Sequence, residues 1–432
     1  MHMSNNRLNR FDTRLTQSSK TACLLLLGTS LLFPSLGYGL TLKRAEHLAL
    51  ETDPIVKGFE ATSRALLDES VSNNTLPDPK LRLGLFNLPI DSLSTTEQPT
   101  TQFRLGIQQM FPRGDSLDIN QEKAEWLSKS ASAQSENSKR MILRDLRETF
   151  LNLFYEIEAS IIITETREHF SKLVKITEAQ YAAGRVNQQD VIQADLELSR
   201  LEDRAIRIRT KEDEYRAKLA QWIGKEAWDP IERHFPELPV LPELSDINAL
   251  LIQHPSVVIE TTKVEASRKS TDLARQDYKP GYSAFVEYRR RNGTNPDNSE
   301  REDMLAAMVT MDIPLFTENR QDKKVSASEE KTRAATYQRD DKLRALKRLL
   351  ENDMAMNRRL EERAAIYKEN LLKAAKNNSA ASLNAYQSGV TEFTTLMRAR
   401  ITELDVRLAD LRIRVDHKRA HARLLYITGE HQ

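Results

Sequence analysis

Cysteine, glycine, proline and aromatic residues are all scarce in this sequence of 432 residues. Its one cysteine, Cys23, allows no intrachain disulfide and no cluster of thiolate metal ligands. The 13 glycines and 6% aromatic residues are typical of long helices rather than of a β-rich globular domain. Lysine and arginine number 64 against 63 acidic residues, and this balance gives no support to nucleic-acid binding.

Residues 1–39 have the features of an export signal. A basic leader precedes the apolar run Ala22–Leu36, and Gly37-Tyr38-Gly39 resembles a signal peptidase site. The run is too short and interrupted for a membrane anchor, and Cys23 lies at the start of the run rather than after it, so lipidation is not predicted. No later stretch reaches 18 apolar residues, so we expect a chain that is secreted, periplasmic, or held in the outer membrane by β-strands.

Long stretches without helix-breaking residues predict two pairs of helical rods. Residues 115–183 contain neither glycine nor proline, and Gly184 then allows a return helix over 185–223. The same arrangement follows Pro314, with Gly389 before the return segment 390–428. On each return helix, apolar residues spaced alternately three and four apart predict a coiled-coil seam. They are Val191, Ala194, Leu198, Leu201, Ala205 and Ile208, and Met397, Ile401, Leu404, Leu408, Leu411 and Val415.

The rods belong to an internal duplication. Tyr181 and Gly184 recur as Tyr386 and Gly389, each 205 positions later. Offsets that barely drift along the chain are typical of two tandem repeats. We therefore predict a first repeat at 40–224, a proline-rich connector at 225–244 and a second repeat at 245–429, with hairpin tips at 181–190 and 386–395.

Alternating apolar and polar residues predict one strand hairpin in each repeat. The predicted strands are about 80–88 and 101–111 in the first repeat and about 282–290 and 304–313 in the second. Each has the length of a tilted membrane-spanning strand, although half-buried soluble strands show the same alternation. Four strands cannot close a barrel, so strands that span a membrane would require several copies of the chain.

Five short motifs carry a resemblance to a known family. They are Leu40-Thr41-Leu42, Leu76-Pro77-Asp78-Pro79, Gln109-Met110-Phe111-Pro112-Arg113-Gly114, Tyr181-Ala-Ala-Gly184 and Tyr386-Gln-Ser-Gly389. In their order, spacing and duplication, the chain resembles the TolC family of outer-membrane efflux channels over residues 40–429. The resemblance implies a mainly α fold with a small β part. It further implies a homotrimer with a 12-stranded outer-membrane barrel, set in lipid, and a 12-helix periplasmic tunnel.

The resemblance also implies partners and a transport function. A TolC-like channel docks to a periplasmic adaptor and an inner-membrane pump of the resistance-nodulation-division type, and it needs neither cofactor nor catalytic residue. The Leu-Pro-Asp-Pro and Phe-Pro-Arg-Gly motifs are more similar to the heavy-metal efflux branch than to the drug branch. The alternatives are a drug or type I secretion duct, a soluble periplasmic coiled-coil adaptor, and a filament-forming coiled coil.

By the same resemblance, the hairpin tips form the periplasmic mouth. In the first tip, Tyr181, Gly184, Asp190 and Ala194 match the family pattern of an adaptor-docking and gating surface. Asp190 has a second interpretation, because a carboxylate in the first turn of a helix is stabilised by the helix dipole.

The second tip departs from the family pattern. Six and nine residues past Gly389, where some related channels carry gating acids, stand Thr395 and Arg398, and Glu392 is the remaining acid that could replace them. We therefore expect closure of the mouth to depend on packing and hydrogen bonds near Tyr386.

Two further groups of residues suggest metal binding, and we interpret both as structural. His417 and His421 lie four apart on one helix face, but without a third ligand they are expected on a solvated face. Met304, Met308 and Met311 lie in a predicted strand, where Met308 and Met311 point to opposite sides and packing or lipid contact is expected. No metal site is predicted.

Overall fold

A computed structural model describes residues 39–242 and 246–430. The predicted export signal therefore lies, except for Gly39, outside the described residues. The described chain is mainly helical with one small sheet, as predicted. None of the helices in these two ranges is both long enough and apolar enough to cross a membrane.

The elements follow one another in two similar series. The first contains α1 (Leu42–Thr52), α2 (Pro54–Asn73), β1 (Lys80–Phe86), β2 (Gln102–Phe111), α3 (Ser116–Ala182) and α4 (Gln188–Ile223). A short 3-10 helix follows at Gly224–Trp228. The second contains α5 (Ile247–Gln253), α6 (Pro255–Gln276), β3 (Gly281–Arg290), β4 (Met304–Asp312), α7 (Gln321–Ile366), α8 (Leu372–Gln387) and α9 (Phe393–Thr428).

The long rods of the two series have matching lengths. A π-helical turn at Tyr367–Leu371 joins α7 to α8, and these three pieces of 46, 5 and 16 residues together equal the 67 residues of α3. The return helices α4 and α9 have 36 residues each. The predicted duplication is therefore visible in the helix boundaries themselves.

The observed boundaries differ from the predicted ones by a few residues, for local reasons. Strand β1 ends at Phe86 rather than 88, because Asn87 adopts a left-handed conformation (φ 54°) and its side-chain amide donates to the carbonyl of Thr100 (3.2 Å). Helix α4 begins at Gln188 rather than 185, because residues 183–187 form the turn of the hairpin tip.

The same capping arrangement starts the second helix of each repeat. Asp53 precedes Pro54, and its carboxylate accepts from the backbone N–H groups of Ile55 (2.9 Å) and Val56 (3.0 Å). In the second repeat His254 precedes Pro255, and its Nδ1 accepts from the backbone N–H of Ser256 (3.2 Å). Proline suits the first helical turn because its missing N–H would have no partner there.

The four strands form a single antiparallel sheet in the order β1-β2-β3-β4. Leu83 pairs with Leu105, Leu105 with Tyr288, and Tyr288 with Leu305, so this row of apolar side chains shares one face. The sheet joins the two repeats through β2 and β3, and β1 and β4 are its edges.

The rods pack side by side as one layer, in the order α4, α3, α9 and then α7–α8. Both predicted seams are at helix contacts: Ala194 and Leu201 are buried on α4, and Leu404 and Leu408 on α9. The two outer rods instead keep large apolar side chains exposed. They include Ile192, Leu196 and Ile206 on α4, and Tyr337, Met356 and Ile366 on α7.

One buried arginine joins three parts of the chain. Arg147 of α3 is 2% exposed, and its guanidinium contacts Glu46 of α1 (2.6 Å) and Glu430 beyond α9 (2.5 Å). A buried charge requires such partners, because an unpaired one would cost several kcal/mol. The ends of the two repeats are therefore held together at this point.

Stability is expected to fall as the pH falls toward 4, because of His254. Its side chain is buried, its Nε2–H donates to the carbonyl of Tyr426 (3.0 Å), and burial lowers its pKa from 6.5 to about 4. Between these values the unfolded chain binds more protons than the folded chain, so acidification destabilises the fold. The full loss is about 3 kcal/mol.

The measurement is thermal unfolding followed by circular dichroism across that pH interval. His254→Asn keeps a capping side chain but does not titrate, so its unfolding should depend less steeply on pH. His47→Asn is the matched control, because the His47 side chain is 78% exposed and its removal should leave the dependence unchanged. An equally steep loss in the His254→Asn protein would assign the effect to other groups.

Candidate functional site at the hairpin tips

Each hairpin tip is a helix ending closed by a glycine. Gly184 (φ 70°) and Gly389 (φ 69°) both adopt the left-handed conformation that glycine accepts without strain. In the first tip the N–H of Arg185 donates to the carbonyl of Gln180 (2.9 Å), and in the second Val390 donates to Ala385 (2.9 Å). This pair of turns reverses the chain in the same way twice.

The two tips enclose an open cleft of about 700 Å³. It is lined by residues of both tips, among them Gly184, Asp190, Tyr386, Gly389 and Glu392. The structure therefore brings together five of the nine site residues that the sequence suggested.

The remaining four lie elsewhere. Tyr181 is 46% exposed on the outer surface of the first tip, whereas Ala194 is fully buried in the contact between α3 and α4. Thr395 and Arg398 are exposed in the first two turns of α9, outside the cleft lining. Ala194 therefore contributes to helix packing in this structure. The positions at which some related channels carry gating acids hold Thr395 and Arg398, neither of which is a carboxylate.

Tyr386 links the second tip to the first and packs within its own tip. Its hydroxyl donates to the Oε1 atom of Gln180 on α3 (2.7 Å), and its ring packs edge-on against Phe393 (centroids 5.6 Å apart). The side chain is only 8% exposed, and burial raises the pKa of Tyr386, so the hydroxyl keeps its proton and remains a donor.

The two partners of Tyr386 were not predicted from the sequence. At the matching positions of the other repeat, Gln180 corresponds to Ala385 and Phe393 to Gln188, so the duplication gave no signal for either. The aromatic residues on either side of Gly389, Tyr386 and Phe393, were the sequence signal from which their ring contact could have been predicted. The hydrogen bond to Gln180 depends on how the two hairpins lie together.

Asp190 and Glu392 occupy related places at the starts of the return helices. Asp190 lies in the first turn of α4, where the helix dipole favours a carboxylate, and it also lines the cleft. Glu392 is the residue immediately before α9 and is exposed. Both proposed roles of Asp190, helix capping and participation in the mouth, are compatible with this position.

The residues that suggested metal binding have structural surroundings. His421 contacts the carbonyl of Pro239 through Nε2 (2.8 Å), so it holds the connector against α9 rather than facing solvent as expected. The register puts Met308 on one face of the sheet and Met311 on the other, as the alternation predicted. The described residues contain no group of three or more histidine, cysteine or acidic side chains arranged to bind a metal ion.

The two faces of the sheet differ in chemistry. One face is apolar, and its side chains are largely exposed; they include Leu81, Leu83, Leu85, Phe103, Leu105, Ile107, Val286, Leu305 and Val309. The opposite face carries Lys80, Arg82, Arg104, Gln108, Glu287 and Arg289. An exposed apolar face of this extent is typical of a surface that meets lipid or another protein.

Comparison with known proteins gives the family. The family described as outer membrane efflux protein matches residues 30–225 and 247–430. No curated protein sequence matches the chain.

Several solved structures share the fold at low sequence identity. The Campylobacter jejuni CmeC outer membrane channel superposes with a TM-score of 0.76 at 13% identity, covering 90% of this chain and 85% of that chain. The Vibrio cholerae outer membrane protein VceC gives 0.74 at 17% identity, covering 90% and 96%. The open state of the Neisseria gonorrhoeae MtrE outer membrane channel gives 0.73 at 14% identity, covering 90% and 89%.

At these identities the superpositions establish the architecture, and the family match establishes the relationship. That match spans nearly all of both helical and strand repeats, with a gap only around the connector. The chain therefore belongs to the outer membrane efflux protein family, the family of TolC-like channels.

Proposed function

We propose that this outer-membrane efflux protein acts as a homotrimer and forms the passive exit duct of a tripartite pump. Three copies supply a 12-stranded barrel and a 12-helix periplasmic tunnel. The observation that supports this most is the four-stranded sheet, which combines an exposed apolar face with two edges, β1 and β4, that lack a strand partner in the described part of the chain.

Lipid makes open sheet edges costly. In hydrocarbon, each unpaired backbone N–H or C=O costs several kcal/mol, so membrane strands occur in closed barrels. Strands β1 and β4 run antiparallel to each other, since each neighbour in the sheet reverses direction. A β1 edge can therefore pair with the β4 edge of another copy and continue the antiparallel pattern.

The helical rods support the same assembly. Each copy contributes four helical passes in one layer, and the outer rods α4 and α7 expose apolar residues such as Ile206 and Tyr337. Layers that join along these sides would enclose a tube. The number of three copies comes from the resemblance to the TolC family.

The mouth of the tube would lie at the hairpin tips. We infer that the cleft between the tips, with Gly184, Asp190, Tyr386, Gly389 and Glu392, belongs to the gating and adaptor-docking region. Tyr181, Thr395 and Arg398 would add to the exposed docking surface around it. The partners we propose are a periplasmic adaptor and an inner-membrane pump of the resistance-nodulation-division type.

The cargo remains a prediction from two motifs. Pro77 accepts a hydrogen bond from the side chain of Gln109 (2.9 Å), and Arg113 contacts Asp277 (3.6 Å) and Asp312 (3.5 Å). Both motifs thus hold the junction between sheet and rods. They indicate the heavy-metal branch by similarity, whereas selection of cargo would lie with the inner-membrane pump.

Disulfide cross-linking tests the homotrimer. In a Cys23→Ser background, Leu83→Cys on β1 is combined in turn with Leu305→Cys, Ala307→Cys or Val309→Cys on β4. If edges of different copies pair, one combination should oxidise in membranes to covalent species of up to three chains on non-reducing gels. The matched control is Leu83→Cys with Met308→Cys, because Met308 lies on the opposite face. Monomers alone in all three combinations would contradict the proposed closure.

Replacement of Tyr386 tests the gate. Tyr386→Phe removes the hydrogen bond to Gln180 and keeps the ring, so the closed mouth should lose about 1 kcal/mol per copy. If the three tips open together, the loss sums to about 3 kcal/mol, and the ratio of open to closed channels in planar bilayers should rise about 150-fold. Tyr181→Phe is the matched control, because the Tyr181 hydroxyl makes no hydrogen bond to the described residues and its ring is exposed. Equal opening of both variants would remove Tyr386 from the gate.

Deletion of the gene, followed by a susceptibility panel of copper, silver, zinc, cobalt, dyes and antibiotics, tests the cargo. The motifs predict greater sensitivity to the metals, restored by the wild-type gene. Sensitivity confined to dyes and antibiotics would instead assign the channel to the drug branch, and an unchanged panel would argue against a role in efflux.

A further inference from the structure

The polar face of the sheet carries an excess of positive charge. Four of its side chains are cationic and two are carboxylates; the cations are Lys80, Arg82, Arg104 and Arg289, and the carboxylates are Glu287 and Asp312. Lys80 and Arg82 form no ion pair within residues 39–242 and 246–430. At the end of the sheet nearest the rods, Asp312 also belongs to this face, but its charge is matched by Arg113 (3.5 Å).

The arginines are held close together by the strand register. Arg104 lies directly opposite Arg289, a pairing of like charges that is unfavourable by itself. Glu287 relieves it, since its Oε1 atom lies 2.6 Å from Nε of Arg289 and 4.0 Å from Nε of Arg104. This carboxylate is 6% exposed, so it is largely committed to the two arginines.

Aromatic rings and an amide side chain also hold the guanidinium groups of Arg104 and Arg82 in place. Arg104 stacks over the ring of Phe86 (4.1 Å), and Arg82 lies over Phe285 (5.2 Å) and donates to Gln108 (2.6 Å). Arg82 and Arg104 are diagonal neighbours on β1 and β2, about 8 Å apart. That separation is comparable to the screening length of about 8 Å at physiological salt, so the charges are only partly screened from each other.

We propose that this face gives the bore of the barrel a preference for small anions over small cations, while selection of cargo stays with the inner-membrane pump. The inference rests on the proposed trimer, in which the apolar face meets lipid and the polar face lines the bore. Each copy contributes three uncompensated positive charges, and the low-dielectric wall of the bore strengthens their field. Acidic side chains of the connecting loops lie beyond the strand ends and are exposed; they are Asp91, Glu97, Asp297, Glu300, Glu302 and Asp303.

Ion permeability in planar bilayers tests the proposal. Under a KCl gradient, the zero-current potential of the wild-type channel should show a chloride-to-potassium permeability ratio above one. Arg82→Gln should lower that ratio by about twofold. Arg290→Gln is the matched control: it removes the same charge from the same sheet, but Arg290 lies on the apolar face and forms no ion pair among the described residues. Its ratio should equal that of the wild type.

A second variant acts in the opposite direction. Thr310 is an exposed residue of the polar face, and Thr310→Lys should raise the ratio. Recordings in the Tyr386→Phe background prevent a closed mouth from hiding the bore.

The outcomes separate this inference from the proposed function. Conductance that prefers potassium, or that responds equally to Arg82→Gln and Arg290→Gln, would overturn the anion selectivity and leave the channel intact. Absence of any conductance from correctly assembled protein would overturn both.

Discussion

The main physical constraint on this protein is that the backbone N–H and C=O groups of its two edge strands need hydrogen-bond partners. One chain supplies four strands, whose apolar face is exposed and whose edges β1 and β4 have no partner in the described residues. Hydrocarbon offers no hydrogen bonds to such edges, so a lone copy cannot be stable in a bilayer. The repeats, the single layer of rods and the unpaired edges are all consistent with a protomer that is completed by other copies.

The rods are tied to the sheet at one end and to each other at the hairpin tips. Arg113 bridges β2, β4 and the end of α6 through Asp312 and Asp277, so the base of the sheet and the start of the rods are tied together. At the other end, Tyr386 connects the second tip to Gln180 of the first. One hydrogen bond of about 1 kcal/mol in each copy is weak enough to break readily, which suits the gate proposed at the tips.

The polar face of the sheet concentrates positive charge, which the alternation within each single strand does not reveal. Alternation indicates which residues share a face on one strand, but charge accumulates only when neighbouring strands are set in register. Arg104 and Arg289 come from different repeats and meet because β2 pairs with β3. Glu287 then becomes a shared partner of both arginines.

Local features of this chain could be predicted from its sequence, because helix breakers, seam spacing and strand alternation act over a few residues. Gly184 and Gly389 close the tips as expected, and the seams through Leu201 and Leu404 are buried. The order of the strands, the partners of Tyr386 and the contact of His421 with Pro239 were decided by the tertiary structure. Each of these depends on how two segments that are distant in the sequence pack together. A periodic pattern shows that a helix or strand has a packing face, but it does not specify which element packs against that face.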